Sequence, residues 1–375
     1  MKTAITEMLG CELPLLAFSH CRDVVVEVTN AGGFGVLGGS GFTPESLDEE
    51  LTWIDEHVNG RPYGIDIIIA EKLVGKGEHL SGEQLAGLIP QDVKDFAADL
   101  ATEHGIPLTP EQVVNLDRGG RAPDAEAGEA LLDVAFRHPI KLIANALGVP
   151  PQFMIDRAKK AGVPIGALVG APEHATKQIA AGVDFLVVQG TEAGGHCGEV
   201  STMVLVPEVI EKTGGKVPVL AAGGIVTGRQ MAAAIALGAA GVWTGSVWLT
   251  TPESEVAEFT RQKMLSASSR DTRRSPYRTG KPSRQLKSDW TEAWEREGAP
   301  AAPGMPLMGL ISEGILREAD RRANAGEEGA RALASYWIGQ GVGLINKQKT
   351  SRQTVLDFAE DYATAVERIE SSIED

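Results

Sequence analysis

Residues 183–196 read VDFLVVQGTEAGGH, a short apolar run followed directly by a glycine-rich turn that ends in a histidine. The run is apolar at consecutive positions rather than at alternate ones, which is typical of a strand buried on both faces. Such strands belong to parallel sheets that helices cover on both sides. The stretch therefore predicts a parallel strand with a functional turn at its carboxyl end.

Seven further runs have the same character, and helical patterns lie between them. The eight runs are residues 13–17, 34–37, 63–69, 140–144, 163–169, 183–188, 217–221 and 241–244. Helix start signals, such as Thr43 before Pro44, occur in the intervening segments. Alternating strands and helices imply parallel βαβ units. We predict an α/β fold, a (β/α)8 TIM barrel, over an open doubly wound sheet, because eight parallel strands in a row favour closure.

Composition and charge exclude several classes of protein. The chain has 375 residues, 43% of them hydrophobic, and no run approaches eighteen consecutive apolar residues, so no membrane partner is expected. Residues 1–7 lack the apolar segment of a secretory signal, which predicts a cytoplasmic location. A net charge of −16 argues against nucleic acid as a partner. Three scattered cysteines are too few for a disulfide framework or a thiolate metal site, so no metal is expected.

Two segments interrupt the alternation and divide the chain. We expect the barrel over residues 1–70 and 128–260, and a polar insertion after the third strand over residues 71–127. The insertion leaves the barrel at the face that carries active sites, so it is interpreted as a lid or, alternatively, as a surface excursion. Residues 261–375 are expected to form a basic loop segment and C-terminal helices packed on the barrel.

The basic segment and the final helix each have a recognisable pattern. Residues 261–290 contain nine Lys or Arg against two Asp, which indicates a solvated surface or an electropositive wall for an anionic substrate or a cofactor phosphate. Apolar residues between Val355 and Ile373 recur every three or four positions, as they do along one face of an amphipathic helix.

Glycine-rich turns follow three consecutive strands, the sixth to the eighth. They contain Gly194 and Gly195, Gly223 and Gly224, and Gly245 and Ser246. In a parallel barrel these strand ends are neighbours, and residues without Cβ let backbone N–H groups converge on an anion. Doubled glycines exceed what a tight turn requires. The pattern predicts a phosphorylated cofactor.

His196 is the candidate catalytic residue. It directly follows Gly194 and Gly195 in the turn after the sixth strand. A histidine in such a turn can act as a general base near neutral pH. A structural histidine is the alternative that these residues leave open.

Several segments together resemble the nitronate monooxygenase family of FMN-dependent TIM-barrel enzymes, the 2-nitropropane dioxygenases. The matching segments are NAGGFG at 30–35, QGTEAGGH at 189–196, AAGGI at 221–225, LGAAGV at 237–242, GKPSR at 280–284 and GQGVG at 339–343. The resemblance covers most of the chain outside residues 71–127.

This resemblance implies a cofactor, a catalytic base and a set of contact residues. The cofactor is FMN, and His196 is the base that removes the α-proton of a nitroalkane or orients its nitronate. The implied FMN contacts are Ala17, Phe18, Ser19, Asp66, Gln189, Gly194, Gly195, Gly223, Gly224, Trp243, Thr244, Gly245 and Ser246. His20 and Asn145 are assigned to the substrate pocket.

The chain departs from the family pattern at three strand ends. Residues 17–20 read AFSH where the family usually has Ala-Pro-Met, Trp243 replaces a Gln or Met, and Asp66 replaces an Asn that hydrogen-bonds the flavin. We predict that Asp66 accepts a hydrogen bond from a ring N–H. The alternatives are a protonated Asp66 and an Asp66 paired with a cation, for which His20 is the candidate.

Three functions remain open. The leading one is FMN-dependent oxidation of alkyl nitronates, or nitroalkanes, by dioxygen to a carbonyl compound and nitrite, with an anionic small molecule as substrate. The second is an NAD(P)H-dependent flavin reductase acting on a quinone or an enoyl thioester, because residues 199–207 resemble a segment of those reductases. The third is a flavin-binding protein without turnover. The oligomeric state is left open, with a homodimer as one option.

Overall fold

Eight parallel strands close into a barrel in this computed structural model, which describes residues 1–69, 82–114 and 125–373. The barrel order is β1-β2-β3-β4-β5-β6-β8-β9, and β9 pairs back to β1. All eight barrel strands lie within or at the predicted apolar runs, so the predicted TIM barrel is confirmed. The strands are β1 (Leu15–Ser19), β2 (Phe34–Gly38), β3 (Gly64–Asp66), β4 (Ile143–Asn145), β5 (Ile165–Val169), β6 (Phe185–Gln189), β7 (Gly195–His196), β8 (Val219–Ala222), β9 (Gly241–Thr244), β10 (Thr272–Ser275) and β11 (Ser283–Leu286).

Helices connect the barrel strands and form the C-terminal region. They are α1 (Ala4–Leu9), α2 (Arg22–Asn30), α3 (Pro44–His57), α4 (Gly82–Gly87), α5 (Gln91–Glu103), α6 (Ala125–Ala135), α7 (Gln152–Ala161), α8 (Pro172–Ala181), α9 (Thr202–Thr213), α10 (Gly228–Ala236), α11 (Glu258–Leu265), α12 (Asp289–Trp294), α13 (Leu307–Asn324), α14 (Glu328–Leu333) and α15 (Ser351–Ser371). The predicted start at Thr43 is a capped one, because its hydroxyl accepts from the N–H of Ser46. Among the described helices, none is long and apolar enough to cross a membrane.

Side chains alternate between the barrel interior and the layer under the helices. In β3, Ile65 packs outward, whereas Gly64 faces inward, where a Cβ would lie 2.9 Å from the side chain of Leu142. Gly166 in β5 has a similar environment, and a Cβ there would overlap the ring of Phe185. Glycine at these positions leaves room for large side chains across the barrel.

The eighth barrel helix comes from far along the chain. Residues 245–350 separate β9 from α15 along the chain. Helix α15 packs against α10 and α2 and closes the helical ring. Trp248 stacks on Phe358 of α15 with ring centroids 6.4 Å apart. The apolar stripe is buried at its start, at Val355 and Phe358, whereas Ile369 is 46% exposed.

A separate apolar core joins the described part of the insertion to the C-terminal region. Helices α4 and α5 of the insertion pack with α12, α13 and α14 in one cluster of buried side chains, which includes Trp290, Trp294 and Ile311. The rest of the insertion, residues 70–81 and 115–124, lies outside the described residues. The lid interpretation therefore stays a prediction.

A small antiparallel sheet stands beside the barrel. The hairpin of β10 and β11 comes from the basic segment, and β11 pairs with β7, the short strand after β6. In this pairing Ser283 lies opposite His196 and Arg284 lies opposite Gly195. The hairpin thereby fixes the turn that carries the candidate catalytic residue.

Candidate active site

The last inward-facing residues of the barrel strands form a layer, which is the floor of the site. Phe18, Asp66, Gln189 and Trp243 occupy this level by strand alternation. The rings of Phe18 and Trp243 stack with centroids 6.2 Å apart. The floor is thus mostly apolar with one carboxyl group and one amide.

Two glycine turns at neighbouring strands provide backbone donors. Gly223 and Gly224 follow β8, and Gly245 and Ser246 follow β9, which pairs with β8. Within the described part of the chain, the N–H groups of these four residues donate to no protein acceptor. Both Gly223 and Gly224 have positive φ, at 103° and 73°, so a side chain would be strained there. The geometry fits an anion such as a phosphate group.

Residues 338–341 contact these two turns and also the turn after β6. A Cβ on Gly194 would lie 2.8 Å from the backbone of Ile338, and a Cβ on Gly341 would lie 2.8 Å from the carbonyl oxygen of Gly224. Gly339 donates its N–H to Ser246 Oγ over 2.8 Å. Glycine is therefore required at positions 194 and 341, because the facing backbone approaches too closely for a Cβ.

His196 stands on β7, above the carboxyl ends of the strands. Its Nε2 lies 2.8 Å from Thr279 Oγ1, a residue of the turn between β10 and β11. Burial, and then the charge of Lys281, lower the pKa of His196 below its usual value. The imidazole is therefore neutral at pH 7 and able to accept a proton.

The wall next to His196 is aromatic. The ring of Trp337 lies 6.2 Å from the ring of His196, centroid to centroid. The guanidinium of Arg278 stacks on Trp337 at 4.2 Å and pairs with Glu313 at 2.9 Å. This buried arrangement fixes the Trp337 ring against the site.

Most cations of the basic segment are engaged in the structure. Arg273 pairs with Glu295, and Arg284 donates to the carbonyl oxygen of Thr191 over 2.9 Å and 3.0 Å. Lys281 is exposed and, among the described residues, forms no ion pair. Lys281, beside His196, is thus available to attract an anion.

Asp66 is the least satisfied polar group of the site. Its side chain is 2% exposed, and its Oδ1 has no hydrogen-bond partner among the described residues. Burial raises the pKa of Asp66 to about 7, against a smaller opposite effect from the N–H of Ala146. His20 does not pair with it, because His20 Nδ1 lies 3.0 Å from the carbonyl oxygen of Gly38.

Several predicted contact residues use their side chains elsewhere. Ala17 packs in the outer core, and Ser19 Oγ accepts the N–H of Cys21. Thr244 donates to the carbonyl oxygen of Leu16 over 2.9 Å. Asn145 accepts from Ile69 and donates to the loop after β4. These four side chains thus form contacts within the protein.

Several residues of the site are not among those that the sequence motifs predict. Thr279, Lys281 and Trp337 lie next to His196 but come from segments far along the chain. Glu192 was quoted only as part of a motif, yet its carboxylate accepts from the N–H and hydroxyl of Thr202 at the start of α9. The matching segments at 280–284 and 339–343 were the available signal for the first three.

A closed (β/α)8 barrel with a neutral histidine and unused backbone N–H donors at the carboxyl ends of its strands is the architecture of a barrel enzyme. The chain belongs to the nitronate monooxygenase family, whose model matches residues 18–361. It is accordingly an enzyme of the monooxygenase type.

Individual proteins resemble this chain over nearly their full length. Rv1533 of Mycobacterium tuberculosis, which carries the name of a monooxygenase, is 47% identical, with 100% of both chains covered. The nitroalkane oxidase of Streptomyces ansochromogenes has a similar structure, with a TM-score of 0.79, 25% identity and coverage of 98% of this chain and 100% of that one. FabK from Thermotoga maritima gives a TM-score of 0.73, 26% identity and coverage of 99% of each chain.

Proposed function

We propose that this enzyme oxidises alkyl nitronates with dioxygen to a carbonyl compound and nitrite, with FMN as cofactor. The observation that carries the proposal is His196, a neutral base beside Lys281 on the turn after β6, at the same end of the barrel as two turns with unused backbone N–H donors. Membership of the nitronate monooxygenase family supports the same reaction.

The residues at the carboxyl ends of the barrel strands fit FMN. The N–H groups of Gly223, Gly224, Gly245 and Ser246 would hold the phosphate, and the ring would lie over the floor near Trp243. No second glycine-rich βα unit occurs among the described residues to hold an adenosine and a pyrophosphate, which favours FMN over FAD. Bound FMN supplies an acceptor for electrons from the substrate and a donor for dioxygen.

The protein contributes a base, a cation and a partly closed site. His196 would remove the α-proton of a neutral nitroalkane, and the electron pair of the broken C–H bond would pass to the nitro group. Lys281 would attract the resulting anion, and Trp337 would exclude water from one side. A pre-formed nitronate needs no proton transfer, so only binding and orientation are required of these side chains.

The decisive experiment is anaerobic mixing of the purified protein with propionate 3-nitronate and, separately, with NADH and NADPH. Bleaching of the flavin absorbance by the nitronate, together with stoichiometric nitrite after air is admitted, is the expected result. Bleaching by a nicotinamide alone would replace the proposal with the NAD(P)H-dependent reductase. Bleaching by none of the three would leave a flavin-binding protein without turnover.

The identity of the cofactor is tested separately. The cofactor is released by heat and chromatographed against FMN and FAD standards. We expect FMN at about one equivalent per chain. Stoichiometric FAD would contradict the assignment of the two glycine turns to a monophosphate.

A further inference from the structure

Asp66 is a buried carboxyl group that faces the interior of the barrel at its open end. It is the last residue of β3, and its neighbours Gly64 and Ile65 define the two faces of that strand. Ile65 lies in the outer core and Gly64 faces inward against Leu142, so alternation directs Asp66 inward. The side chain is 2% exposed at the level where the proposed flavin ring would lie.

No charged group in the described structure compensates this carboxyl. Oδ1 is without a hydrogen-bond partner there, and burial of the carboxyl is opposed, among the described residues, by the backbone N–H of Ala146. Among the described residues, the titratable side chains at the carboxyl ends of the barrel strands include His20, Glu192, His196 and Lys281, and the Glu192 carboxylate accepts from Thr202. His20 is directed to Gly38, and His196 is directed to Thr279, so neither neutralises Asp66.

A buried carboxyl group without a cation is more stable in its neutral form, because the carboxylate loses its hydration and gains no partner. A neutral carboxyl has an O–H to donate, and a carboxylate has none. Toward a flavin ring, Asp66 can therefore either donate a hydrogen bond as a neutral carboxyl group or accept one as a carboxylate. The structure favours the donor, whereas the sequence alone favoured the acceptor.

We propose that Asp66 is a carboxylic acid that donates a hydrogen bond to the bound flavin and couples the flavin's reduction potential to pH. This inference rests on the proposed FMN cofactor. Reduction places negative charge at the pyrimidine end of the ring, and an ionised Asp66 nearby would oppose it. Above the pKa of Asp66, the carboxylate takes up one proton from solvent as two electrons enter the flavin from the electrode. The electrons and this proton are thus accounted for, in addition to any proton that the flavin itself takes up.

The test is the midpoint potential of the purified holoenzyme between about pH 5 and about pH 9, measured with an electrode and mediators. Wild type is compared with Asp66→Asn, which keeps the shape but cannot ionise. We expect the two potentials to run together at low pH and to separate above about pH 7, with wild type lower. A tenfold preference of reduced flavin for the neutral side chain corresponds to a separation of about 30 mV for two electrons.

Two other patterns would overturn the proposal. A constant separation at every pH would show that Asp66 is ionised throughout and accepts from the ring. Coincident potentials at every pH would show that its charge does not reach the flavin. His20→Gln serves as the matched control: the separation between wild type and Asp66→Asn must persist in that background, because otherwise His20 is the titrating group.

A second measurement does not depend on the flavin. The infrared carbonyl band of a protonated carboxyl group is recorded as the difference between wild type and Asp66→Asn at several pH values. We expect the band at low pH and its loss as the pH rises through about 7. Absence of the band at about pH 5 would overturn the proposal even if the protein held no FMN. Failure of the nitronate to bleach the flavin would instead concern only the proposed reaction.

Discussion

His196 has a role that one substitution can separate from binding. Asn keeps a similar polar shape but has no basic nitrogen. For His196→Asn we expect kcat/KM with a neutral nitroalkane to fall roughly 10²–10⁴-fold, which is the usual contribution of a general base. The loss with the corresponding nitronate should be much smaller, because that form has already given up the proton. Steady-state kinetics with both forms of one compound measure the difference, and flavin absorbance is the control for an intact site. Equal losses would assign His196 to anion binding instead.

Thr279 orients the ring of His196. Its hydroxyl donates to the carbonyl oxygen of Lys281 over 3.2 Å, so we infer that it accepts from His196 Nε2–H and leaves Nδ1 as the basic nitrogen. Thr279→Val should lower kcat/KM for a nitroalkane about five- to tenfold, the equivalent of one hydrogen bond, with little change for the nitronate.

The matched control for this position is Thr279→Ser, which keeps the hydroxyl. This variant should retain the wild-type activity with the nitroalkane and the wild-type pH profile. If serine and valine lose the same activity, the methyl group packs the turn and the hydroxyl has no part in orienting His196.

For individual residues, the sequence predicted their positions in the fold better than their hydrogen-bond partners. Gln189, His196 and the glycine turns lie at the strand ends where the motifs placed them. The alternative in which His20 pairs with Asp66 is not the one observed, because the missing side chain of Gly38 leaves room for the His20 ring against the β2 backbone. A partner of this kind depends on side-chain direction, which strand order does not determine.

Among the elements, the contact of α10 with α15 is sensitive to a single methyl group. A Cβ at Gly228 would overlap the carbonyl oxygen of Phe358. Gly228→Ala should therefore lower the free energy of unfolding by about 1–3 kcal/mol, as overpacking usually does. Urea unfolding followed by tryptophan fluorescence measures the change.

Gly309→Ala in α13 is the matched control, because no heavy atom lies within 4 Å of its added Cβ. There we expect no loss, and a gain of up to about 1 kcal/mol from the better helix propensity of alanine. Equal unfolding free energies for Gly228→Ala and wild type would show that α15 shifts without cost.

The elements that sequence patterns missed are the polar ones. The eight barrel strands are apolar runs and were all predicted, whereas β10 reads TRRS and β11 reads SRQL. The pairing of β11 with β7 joins residues about ninety positions apart, and no local periodicity reports such a contact. The segment was therefore interpreted as a charged surface rather than as a hairpin.

For the molecule as a whole, Asp66 makes stability depend on pH. Its folded-state pKa of about 7 lies above the ordinary value of 3.8, so the folded form binds the proton more tightly. Its contribution is complete below about pH 4 and is lost as the pH rises to about 7. Asp66→Asn should consequently raise the free energy of unfolding by up to a few kcal/mol at about pH 8, and by less at about pH 5.

The measurement is urea unfolding at both pH values with the same saturating FMN. Asp361→Asn is the control with the opposite sign, because hydrogen bonds from Arg229 hold the pKa of Asp361 below its usual value. That variant should lose stability at about pH 8. An Asp66→Asn variant that gained equally at both pH values would contradict the assigned titration.

The distance along the chain between β9 and α15 has a consequence for biosynthesis. A ribosome completes all eight barrel strands long before it makes residues 351–371, so the apolar sides of α2 and α10 remain uncovered in the nascent chain. Completion of the barrel then depends on the contact of α15 with α2 and α10, which has a very high sequence separation. Such a contact slows folding and prolongs the exposure of apolar surface. Nascent chains stalled before α15 should recruit chaperones and be degraded, whereas those released after it should not.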